Sequence, residues 1–445
     1  MEAVLRIDPA KDLGPVRRMN GVGGGPVTYN FSYDATAYFR EARIPFSRTH
    51  DIEYPFGSGE FVDIHNLFPD FDKDENDPAS YNFTLTDEYL KRVEEAGAKP
   101  LFRLGNSIEH QSVKRHILPP ADFDKWGRVC SRVIAHYNEG WGNGLFLGIE
   151  YWEIWNEPDI PECWTGTQEQ ILELYESAAR IIKREHPGIK IGGLAFANTF
   201  SPLIDKFLSR CRDRRVPLDF VSWHLYVRDP AQTAEAAKFI RAKMDEYGFG
   251  ALESVYDEWN YVMGWGPELE KSIEFHHTVG EAAFMGAVMS TAQENGVDIA
   301  CYYDVQLLMG RVWNGVFAPG PRGKHENGGN TVKALPGFYA LKYWGALYGK
   351  NALGTECGCP TVYAAAAISE DGSEIRVLLS NFEDRAGYGM IPPQNVSIKL
   401  DTGGAYAASE AWVTDSFGSD THTPVENDTL TLRGYAVALV TLKKL

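Results

Sequence analysis

Two glutamates occupy equivalent positions at the ends of two apolar segments. Glu157 closes the segment Tyr151-Trp-Glu-Ile-Trp-Asn-Glu-Pro-Asp159, and Pro158 predicts that a strand ends there, because proline has no N–H for a sheet ladder. Glu258 closes the segment Leu252-Glu-Ser-Val-Tyr-Asp-Glu-Trp-Asn260 in the same way. Either glutamate alone could be a structural residue paired with an arginine. Two of them in the same kind of context indicate a shared task.

Paired carboxyl groups that face each other are the groups that cleave a glycosidic bond. One must hold a proton for the departing oxygen, while the other is ionised. A separation of about 5–5.5 Å between the carboxyl groups would indicate a retaining reaction, and about 6.5–9.5 Å an inverting one. A non-catalytic carbohydrate-binding protein is the alternative from another class. Sugar binding alone, however, gives no reason to place Glu157 and Glu258 opposite each other.

The elements that would carry these residues alternate between short apolar strands and longer helical segments. The predicted strands are Val16 to Met19, Ile44 to Thr49, Lys99 to Leu104, Tyr151 to Trp155, Ile189 to Ala195, Phe220 to Val227, Leu252 to Trp259 and Ile299 to Val305. The segment Gln168 to Lys183 has the apolar spacing of a helix. Eight such units indicate an α/β fold, a (β/α)8 TIM barrel, with a doubly wound sheet as the alternative. In the barrel, strands four and seven would bring both glutamates to the C-terminal rim, where barrel chemistry occurs.

The chain changes character after residue 348. Short alternating strands are predicted at Thr361 to Ala366, Glu374 to Ser380, Asn395 to Leu400, Glu410 to Thr414 and Tyr435 to Leu442. We therefore expect a catalytic barrel over residues 10–348 and a C-terminal β-sandwich domain over residues 349–445, with residues 1–9 as a candidate additional strand. Within the barrel, the long loop from Asp51 to Leu85 follows the second strand and is expected to shape the mouth.

Composition narrows the range of partners. The 445 residues carry 61 acidic and 43 basic side chains, and the formal net charge of −18 disfavours nucleic acid and anionic membrane surfaces. No apolar run approaches the roughly 18 residues of a membrane span. The N-terminus has no signal-peptide pattern, so we expect a cytoplasmic protein, or a secreted one whose signal has been removed. The expected partner is an oligosaccharide, polysaccharide or glycoside, and the formation of a homo-oligomer is left open.

Neither a metal nor a cofactor is expected. The pair Cys357 and Cys359 has no second cysteine pair or histidine cluster to complete a metal site. The adjacent His276 and His277 lack the i, i+4 spacing of a zinc pair. The stretch from Gly21 to Pro26 is similar to a dinucleotide-binding loop, but it has proline where the last glycine should stand.

Several motifs together resemble a known family. The Asn-Glu-Pro of residues 156–158 and the Glu-Trp-Asn of residues 258–260 resemble the motifs of the clan A glycoside hydrolases. Three further stretches, Arg17-Arg-Met-Asn-Gly-Val-Gly-Gly-Gly-Pro26, Arg48-Thr-His50 and Trp223-His-Leu-Tyr226, are similar to glycoside hydrolase family 39. That family contains β-xylosidases and α-L-iduronidases, and its β-xylosidases carry a C-terminal β-sandwich. The resemblance covers most of the chain.

The resemblance implies roles for individual residues. Glu157 would be the acid/base and Glu258 the nucleophile of a retaining reaction. The implied sugar-binding residues are Arg48, His50, Asn156, His224 and Tyr226. Asn156 would bond the substrate 2-hydroxyl, a contact that tightens in the transition state. Arg48 would either orient Glu258 or bind the substrate.

One region departs from the β-xylosidases of the family. After the eighth strand the chain reads Tyr302-Tyr-Asp-Val-Gln306 and then Arg311-Val-Trp-Asn-Gly-Val-Phe317, where Trp313 and Asn314 could form part of an altered subsite or a packed lid. We expect a β-linked glycoside, above all a pentoside, as the substrate. The alternatives are an α-L-arabinosidase, an endo-acting glycanase and an α-L-iduronidase-like enzyme. The net charge of −18 makes an anionic uronide less favoured than a neutral pentoside.

Overall fold

The computed structural model describes residues 1–28, 33–52, 60–307, 313–320, 330–384 and 391–445. The strands are β1 Glu2–Pro15, β2 Arg18–Gly23, β3 Val27–Thr28, β4 Tyr33–Asp34, β5 Phe46–Arg48, β6 Lys99–Leu104, β7 Tyr151–Ile154, β8 Lys190–Phe196, β9 Phe220–His224, β10 Glu253–Trp259, β11 Ile299–Tyr302, β12 Phe317–Pro319, β13 Asn330–Ala334, β14 Asn351–Cys357, β15 Val362–Ile368, β16 Glu374–Asn381, β17 Val396–Asp401, β18 Tyr406–Asp415, β19 Gly418–Thr423, β20 Thr429–Leu432 and β21 Ala436–Lys444. The helices are α1 Thr36–Ala42, α2 Ile64–Leu67, α3 Thr84–Glu95, α4 Phe123–Glu139, α5 Gln168–Glu185, α6 Leu203–Arg214, α7 Pro230–Glu246, α8 Glu268–His276, α9 Val279–Glu294 and α10 Pro336–Gly345.

Eight parallel strands close into a barrel. Their order around it is β2, β5, β6, β7, β8, β9, β10 and β11, and β11 pairs back to β2. The prediction of a (β/α)8 TIM barrel is therefore confirmed, and each of the eight predicted strands overlaps one barrel strand. The first begins at Arg18 instead of Val16, because the preceding residues belong to another sheet and the Val16 N–H donates to the carbonyl of Lys350.

The barrel interior has two layers of different character. The lower layer is a cluster of buried, mostly aliphatic and aromatic side chains: Phe46, Leu101, Tyr151, Phe220, Val255, Ile299 and Cys301. Two residues further along β5, β7 and β10 stand Arg48, Glu153 and Asp257, which are equally buried. Residues two apart on a barrel strand face the same side. The same strands therefore place a charged layer above the apolar one, at the C-terminal mouth.

The helices show two kinds of sequence pattern. The predicted helix from Gln168 corresponds to α5, which Thr167 and Gln170 cap reciprocally and whose apolar stripe faces inward. In contrast, α9 is buried along nearly its whole length, because it lies between the barrel and a second sheet. There the Ser380 hydroxyl donates to the carbonyl of Ala283 at 2.5 Å.

The C-terminal strands form this second, separate sheet. Its nine strands lie in the order β19, β18, β21, β16, β15, β14, β1, β17 and β20, and the sheet curls around its own apolar core. The predicted fold class, a barrel followed by a sheet domain of the sandwich kind, is confirmed. The N-terminal strand β1 lies within this sheet, antiparallel to β14 and parallel to β17. The division of the chain at residues 348 and 349 stays a prediction.

Two segments singled out in the sequence lie partly outside the described residues. These are residues 53–59 of the loop from Asp51 to Leu85, and Arg311 and Val312 in the loop after β11. The described part of the first loop contains α2 and a 3₁₀ turn at Pro78–Ser80. Within the described ranges, no helix combines the length and the apolar character that crossing a membrane requires.

Candidate active site

Glu157 and Glu258 lie at the C-terminal ends of β7 and β10. Glu157 is held in the turn after β7, where its N–H donates to the carbonyl of Ala195 at 2.9 Å. Its φ is 47°, and the φ angles of Trp155 and Ala195 are 69° and 53°. Such left-handed conformations cost non-glycine residues about 1–3 kcal/mol each and persist only where the surrounding contacts impose them. The turn therefore fixes the direction of the Glu157 side chain.

His224, at the end of β9, connects the two glutamates. Its Nδ1 lies 2.8 Å from Glu157 Oε1 and 3.3 Å from Glu258 Oε2. Burial by itself would lower the pKa of His224, but Glu258, Asp257 and Glu157 outweigh burial and raise the pKa well above its usual value. The raised pKa favours the imidazolium form, in which the Nδ1–H faces both carboxylates as a hydrogen-bond donor. One carboxylate oxygen of each glutamate and one nitrogen of His224 lie within 4.8 Å of one another.

Glu258 accepts hydrogen bonds on both oxygens. Arg48 Nη1 donates to Oε2 at 3.1 Å, and the Tyr226 hydroxyl donates to Oε1. Burial raises the pKa of Glu258 to about 7; His224 and Arg48 oppose the rise and Glu157 adds to it. Two carboxyl groups this close do not both ionise readily, and the charge of Glu157 therefore favours the protonated form of Glu258.

Arg48 is the central cation of the charged layer. Its Nη2 donates to Glu153 Oε2 and to Asn156 Oδ1, both at 2.7 Å, and its Nε lies 3.1 Å from Asp257 Oδ2. Burial lowers the pKa of Arg48, but Glu153, Asp257 and Glu258 together raise it well above the usual value. Arg48 therefore stays charged and holds four side chains in fixed positions beneath the mouth.

Glu157 and Glu258 line a cavity of about 510 Å³. Its walls are His50, Asp51, Ile108, His110, Glu157, Ile160, Ala197, Tyr226, Glu258, Trp265, Tyr303 and Trp313. The predicted site residues divide into two groups. Glu157, Glu258, His50, Tyr226 and Trp313 line the cavity, whereas Arg48, Asn156 and His224 lie beneath it.

His50 brings a neutral imidazole to the cavity. Burial lowers its pKa well below the usual value, and the neighbouring Arg48 lowers it further, although Asp51 opposes the change. Its Nε2 lies 3.5 Å from Asp51 Oδ1, and the Tyr303 hydroxyl donates to Asp51 Oδ2 at 2.7 Å. The buried Nδ1 of His50 has no hydrogen-bond partner among the described residues. A sugar hydroxyl could supply one.

An aromatic wall borders the cavity on the side of Glu258. The Trp265 ring centroid lies 5.2 Å from that of Tyr226 and 5.9 Å from that of Trp313. The Trp265 side chain is 64% exposed, so an indole face is available for contact with a ligand. Asn314 does not line the cavity. Its Oδ1 accepts from the N–H groups of Val316 and Phe317 at 2.9 and 2.8 Å, which makes it a turn-stabilising residue.

Several residues of the site were not among those predicted from the sequence: Asp51, Glu153, Asp257, Trp265 and Tyr303. A signal existed for two of them. A charged residue inside a predicted barrel strand, two positions after an apolar inward-facing residue, must itself face inward, and Glu153 and Asp257 fit that pattern. No local pattern distinguishes Trp265 from a surface tryptophan.

The site gives no reason to assign a metal. Glu157, His224 and Glu258 are the one group of close potential ligands among the described residues. A protonated imidazole has no lone pair for a cation, and we therefore assign none. The glycine stretch after β2 is packed against protein: a Cβ on Gly25 would lie 2.7 Å from Phe39 and 2.9 Å from Val305.

Fold and site together define a (β/α)8-barrel protein with paired carboxyl groups at the mouth of the barrel. The family model of the glycosyl hydrolases family 39 matches residues 3–305. The chain therefore belongs to glycosyl hydrolase family 39, as the resemblance of its motifs indicated.

Individual proteins are similar over shorter stretches. The β-xylosidase of Geobacillus stearothermophilus is 30% identical over 184 residues, which are 39% of this chain and 36% of that protein. The β-xylosidase of Caldicellulosiruptor saccharolyticus is 28% identical over 222 residues, 46% of this chain and 45% of that protein. The matched part thus spans less than half of either relative.

Solved structures share the fold along the whole chain. The glucosidase from Croceicoccus marinus is 22% identical, with a TM-score of 0.76 and full coverage of both chains. The GH39 enzyme from Xanthomonas axonopodis pv. citri is 17% identical, with a TM-score of 0.68, and the match covers 100% of this chain and 98% of that one. At these identities the similarity concerns the fold alone.

Proposed function

We propose that the protein is a retaining glycoside hydrolase that cleaves β-linked glycosides, with a β-pentoside such as a β-xyloside as the preferred substrate. One observation carries the proposal: carboxylate oxygens of Glu157 and Glu258 lie within 4.8 Å of each other at the barrel mouth. This spacing fits the short separation of retaining enzymes, and it leaves no room for the water that an inverting reaction places between sugar and base.

The contacts of the two glutamates support different roles. Glu258 faces three donors, Arg48, Tyr226 and His224, which stabilise a carboxylate that can attack carbon. Glu157 faces His224 and the thiol of Cys163, whose Sγ lies 3.7 Å from Oε2. These contacts support Glu258 as the nucleophile and Glu157 as the acid/base.

The reaction runs in two balanced steps. Glu157 transfers its proton to the glycosidic oxygen while a Glu258 oxygen bonds to the anomeric carbon, so that the alcohol leaves and a glycosyl ester remains. Glu157, now a carboxylate, takes a proton from water, whose oxygen bonds to the anomeric carbon and displaces Glu258. The sugar leaves with its original configuration, and both carboxyl groups return to their starting state.

The other predicted residues act on the sugar or on the glutamates. His50 and Tyr226 are exposed to the cavity and can bond sugar hydroxyls, while Trp313 offers a ring face. Asn156 remains our candidate for the contact with the 2-hydroxyl. Its Oδ1 accepts from Arg48 and its Nδ2 donates to Cys163 Sγ at 3.9 Å, which leaves the second amide N–H as the donor to a sugar hydroxyl. Arg48 is assigned to orienting Glu258, since it lies beneath the cavity and contacts that carboxylate.

The preference for a pentoside rests on two supports. The curated relatives quoted above are named β-xylosidases, and the net charge of −18 disfavours an anionic uronide. The preference for a pentoside is tested with a panel of aryl glycosides: β-xyloside, α-L-arabinoside, β-glucoside and α-L-iduronide. The highest kcat/KM is expected for the β-xyloside, and a higher value for another member would replace the pentoside with that sugar. Release of internal fragments from a polymer would identify endo-acting cleavage.

Replacement of Glu258 tests the mechanism. Glu258→Ala is expected to abolish turnover of an activated aryl glycoside, and added azide is expected to restore it with formation of a glycosyl azide of inverted configuration. Near-normal activity of this variant would end the proposal. A wild-type protein that binds sugars but hydrolyses no member of the panel would instead be a carbohydrate-binding protein.

A further inference from the structure

Two buried carboxyl groups lie beneath the site and take no part in the proposed reaction. Glu153 on β7 and Asp257 on β10 are 0% and 1% exposed, and neither lines the cavity. Glu153 Oε2 accepts from Arg48 Nη2 at 2.7 Å, and Asp257 Oδ2 lies 3.1 Å from Arg48 Nε. Asp257 Oδ1 also lies 3.4 Å from His224 Nε2. A chain of ionic contacts therefore runs from Asp257 through His224 to Glu157 and Glu258.

The balance of charge limits the protonation states of this cluster. It contains two cations, Arg48 and His224, against the four carboxyl groups of Glu153, Glu157, Asp257 and Glu258. Glu153, Asp257 and Glu258 are buried and Glu157 is half-buried, so four carboxylates would leave two negative charges uncompensated where little water reaches them, which is unfavourable. Two protons must therefore be held. The reaction proposed above places one on the pair Glu157 and Glu258, so the second belongs to the pair Glu153 and Asp257.

The contacts decide which of the two lower groups carries that proton. Asp257 faces both cations, whereas Glu153 faces only Arg48. Burial opposes the charge of Asp257, but Arg48 and His224 lower its pKa far below the usual range. Burial and the charge of Asp257 raise the pKa of Glu153 to about 8, although Arg48 opposes this. Glu153 Oε1, both oxygens of Asp257 and His224 Nε2 are buried without a hydrogen-bond partner of normal geometry in the described part of the chain, so a proton on Glu153 would add a donor to a group that consists mainly of acceptors.

We propose that Asp257 is a positioning residue whose permanent charge keeps His224 protonated and aimed at the two catalytic glutamates, while its neighbour Glu153 remains a neutral acid. The inference rests on the proposed function. The titratable and charged groups that face His224 are Glu157 after β7, Asp257 and Glu258 on β10, and Arg48 and His50 from β5 and the residues after it. Arg48 and the neutral His50 do not favour the imidazolium. Asp257 is the one anion of the cluster that keeps its charge throughout the reaction, since Glu157 and Glu258 are each neutralised in turn.

Two substitutions that keep the shape of the side chain distinguish the effect of its charge from the effect of its packing. Asp257→Asn removes a permanent charge, and Glu153→Gln replaces a neutral acid with a neutral amide. Asp257→Asn is expected to lower kcat on an aryl β-xyloside by about 100-fold, since the glutamates lose their fixed donor. In the pH profile of its kcat, the fall in activity at high pH should begin at a lower pH than in the wild type, because His224 loses its proton more easily. Glu153→Gln is expected to lower kcat by no more than about threefold and to leave the pH profile unchanged.

A measurement on His224 itself makes the test independent of turnover. The ¹⁵N chemical shifts of its ring are expected to report an imidazolium throughout pH 6–8 in the wild-type protein and in Glu153→Gln. In Asp257→Asn they should titrate within that range. A neutral His224 in the wild-type protein at pH 6.5 would overturn the inference, even if Asp257→Asn did not fold. Equal losses of kcat in the two variants would overturn it as well. Failure of the proposed function would appear separately, as an active Glu258→Ala.

Discussion

The two ends of the barrel interior are built by the same strands but have opposite chemistry. The lower layer contains Phe46, Tyr151 and Val255, and it is closed by neighbouring apolar side chains. Two residues further along the same strands, the upper layer contains Arg48, Glu153 and Asp257. Both layers are almost completely shielded from water. In both layers the side chains point inward by the same strand geometry. The two layers differ only in the types of side chain that occupy these positions.

The difference separates stability from function within one barrel. Burial of the apolar layer is favourable in itself, by about 1.5–3 kcal/mol for each large side chain. Burial of the charged layer is favourable only while every charge keeps its partner, and an apolar replacement of such a network is often as stable or more so. The lower layer is thus explained by folding alone. The upper layer is explained only by the chemistry at the mouth.

The largest effect is expected at Arg48, on which both the stability of the barrel and its catalytic activity depend. Arg48→Met should lower kcat/KM on an aryl β-xyloside by at least about 1000-fold, because Glu258 loses its cation. It should also lower the free energy of unfolding by about 3–5 kcal/mol, because buried carboxylates lose their partner. Kinetics and urea unfolding measure the two effects. Arg48→Lys, which keeps the charge but not the planar guanidinium, is the control. Its kcat/KM and its free energy of unfolding should lie between those of the wild type and those of Arg48→Met. A folded Arg48→Met within tenfold of wild-type activity would contradict the comparison.

The lower layer should respond in stability alone. Phe46→Ala is expected to lower the free energy of unfolding by about 3–5 kcal/mol through loss of apolar burial and a residual cavity. The kcat of the folded fraction should stay unchanged, because the charged layer above remains complete. Urea unfolding and active-site titration with a covalent inhibitor would measure this. A fall in kcat per active site as large as that of Arg48→Met would abolish the distinction between the layers.

The upper layer should also make activity depend on pH. Burial raises the pKa of Glu258 to about 7, and the proposed reaction treats the proton held below that pH as shared with Glu157. Since the reaction needs an acid, kcat/KM should be high below pH 7 and fall above it by up to about tenfold per pH unit. Circular dichroism across the same range is the control for unfolding. A kcat/KM that keeps rising from pH 7 to pH 9 would exclude a shared proton.

The smallest effect is expected at the rim, outside both layers. Trp265→Ala should raise KM by about 2–10-fold, corresponding to the contact energy of one aromatic face, with little change in kcat. Its exposed side chain predicts an unfolding free energy within about 0.5 kcal/mol of the wild type. Steady-state kinetics with a β-xyloside and with xylobiose measure the effect. An unchanged KM for both would remove Trp265 from the binding surface.

Prediction from sequence succeeded where a signal was local. Periodicity located all eight barrel strands, and Pro158 marked the end of β7. It failed for β14, β19 and β20, because their apolar faces become evident only beside their sheet partners. At the site, Glu157, Glu258, His50 and Tyr226 lie together as expected. Asn314, which the sequence left open between an altered subsite and a packed lid, does not line the cavity, because backbone N–H groups in its own turn use its side-chain oxygen.

The sequence by itself determined that two glutamates end two strands of a barrel, because proline punctuation and apolar alternation are properties of short segments. Tertiary structure alone decided the distance between those glutamates, the place of His224 between them and the closure of Glu153 and Asp257 around Arg48. These contacts join residues about 30–210 positions apart in the chain. Their protonation depends on burial and on neighbouring charge, which exist only after the barrel has closed.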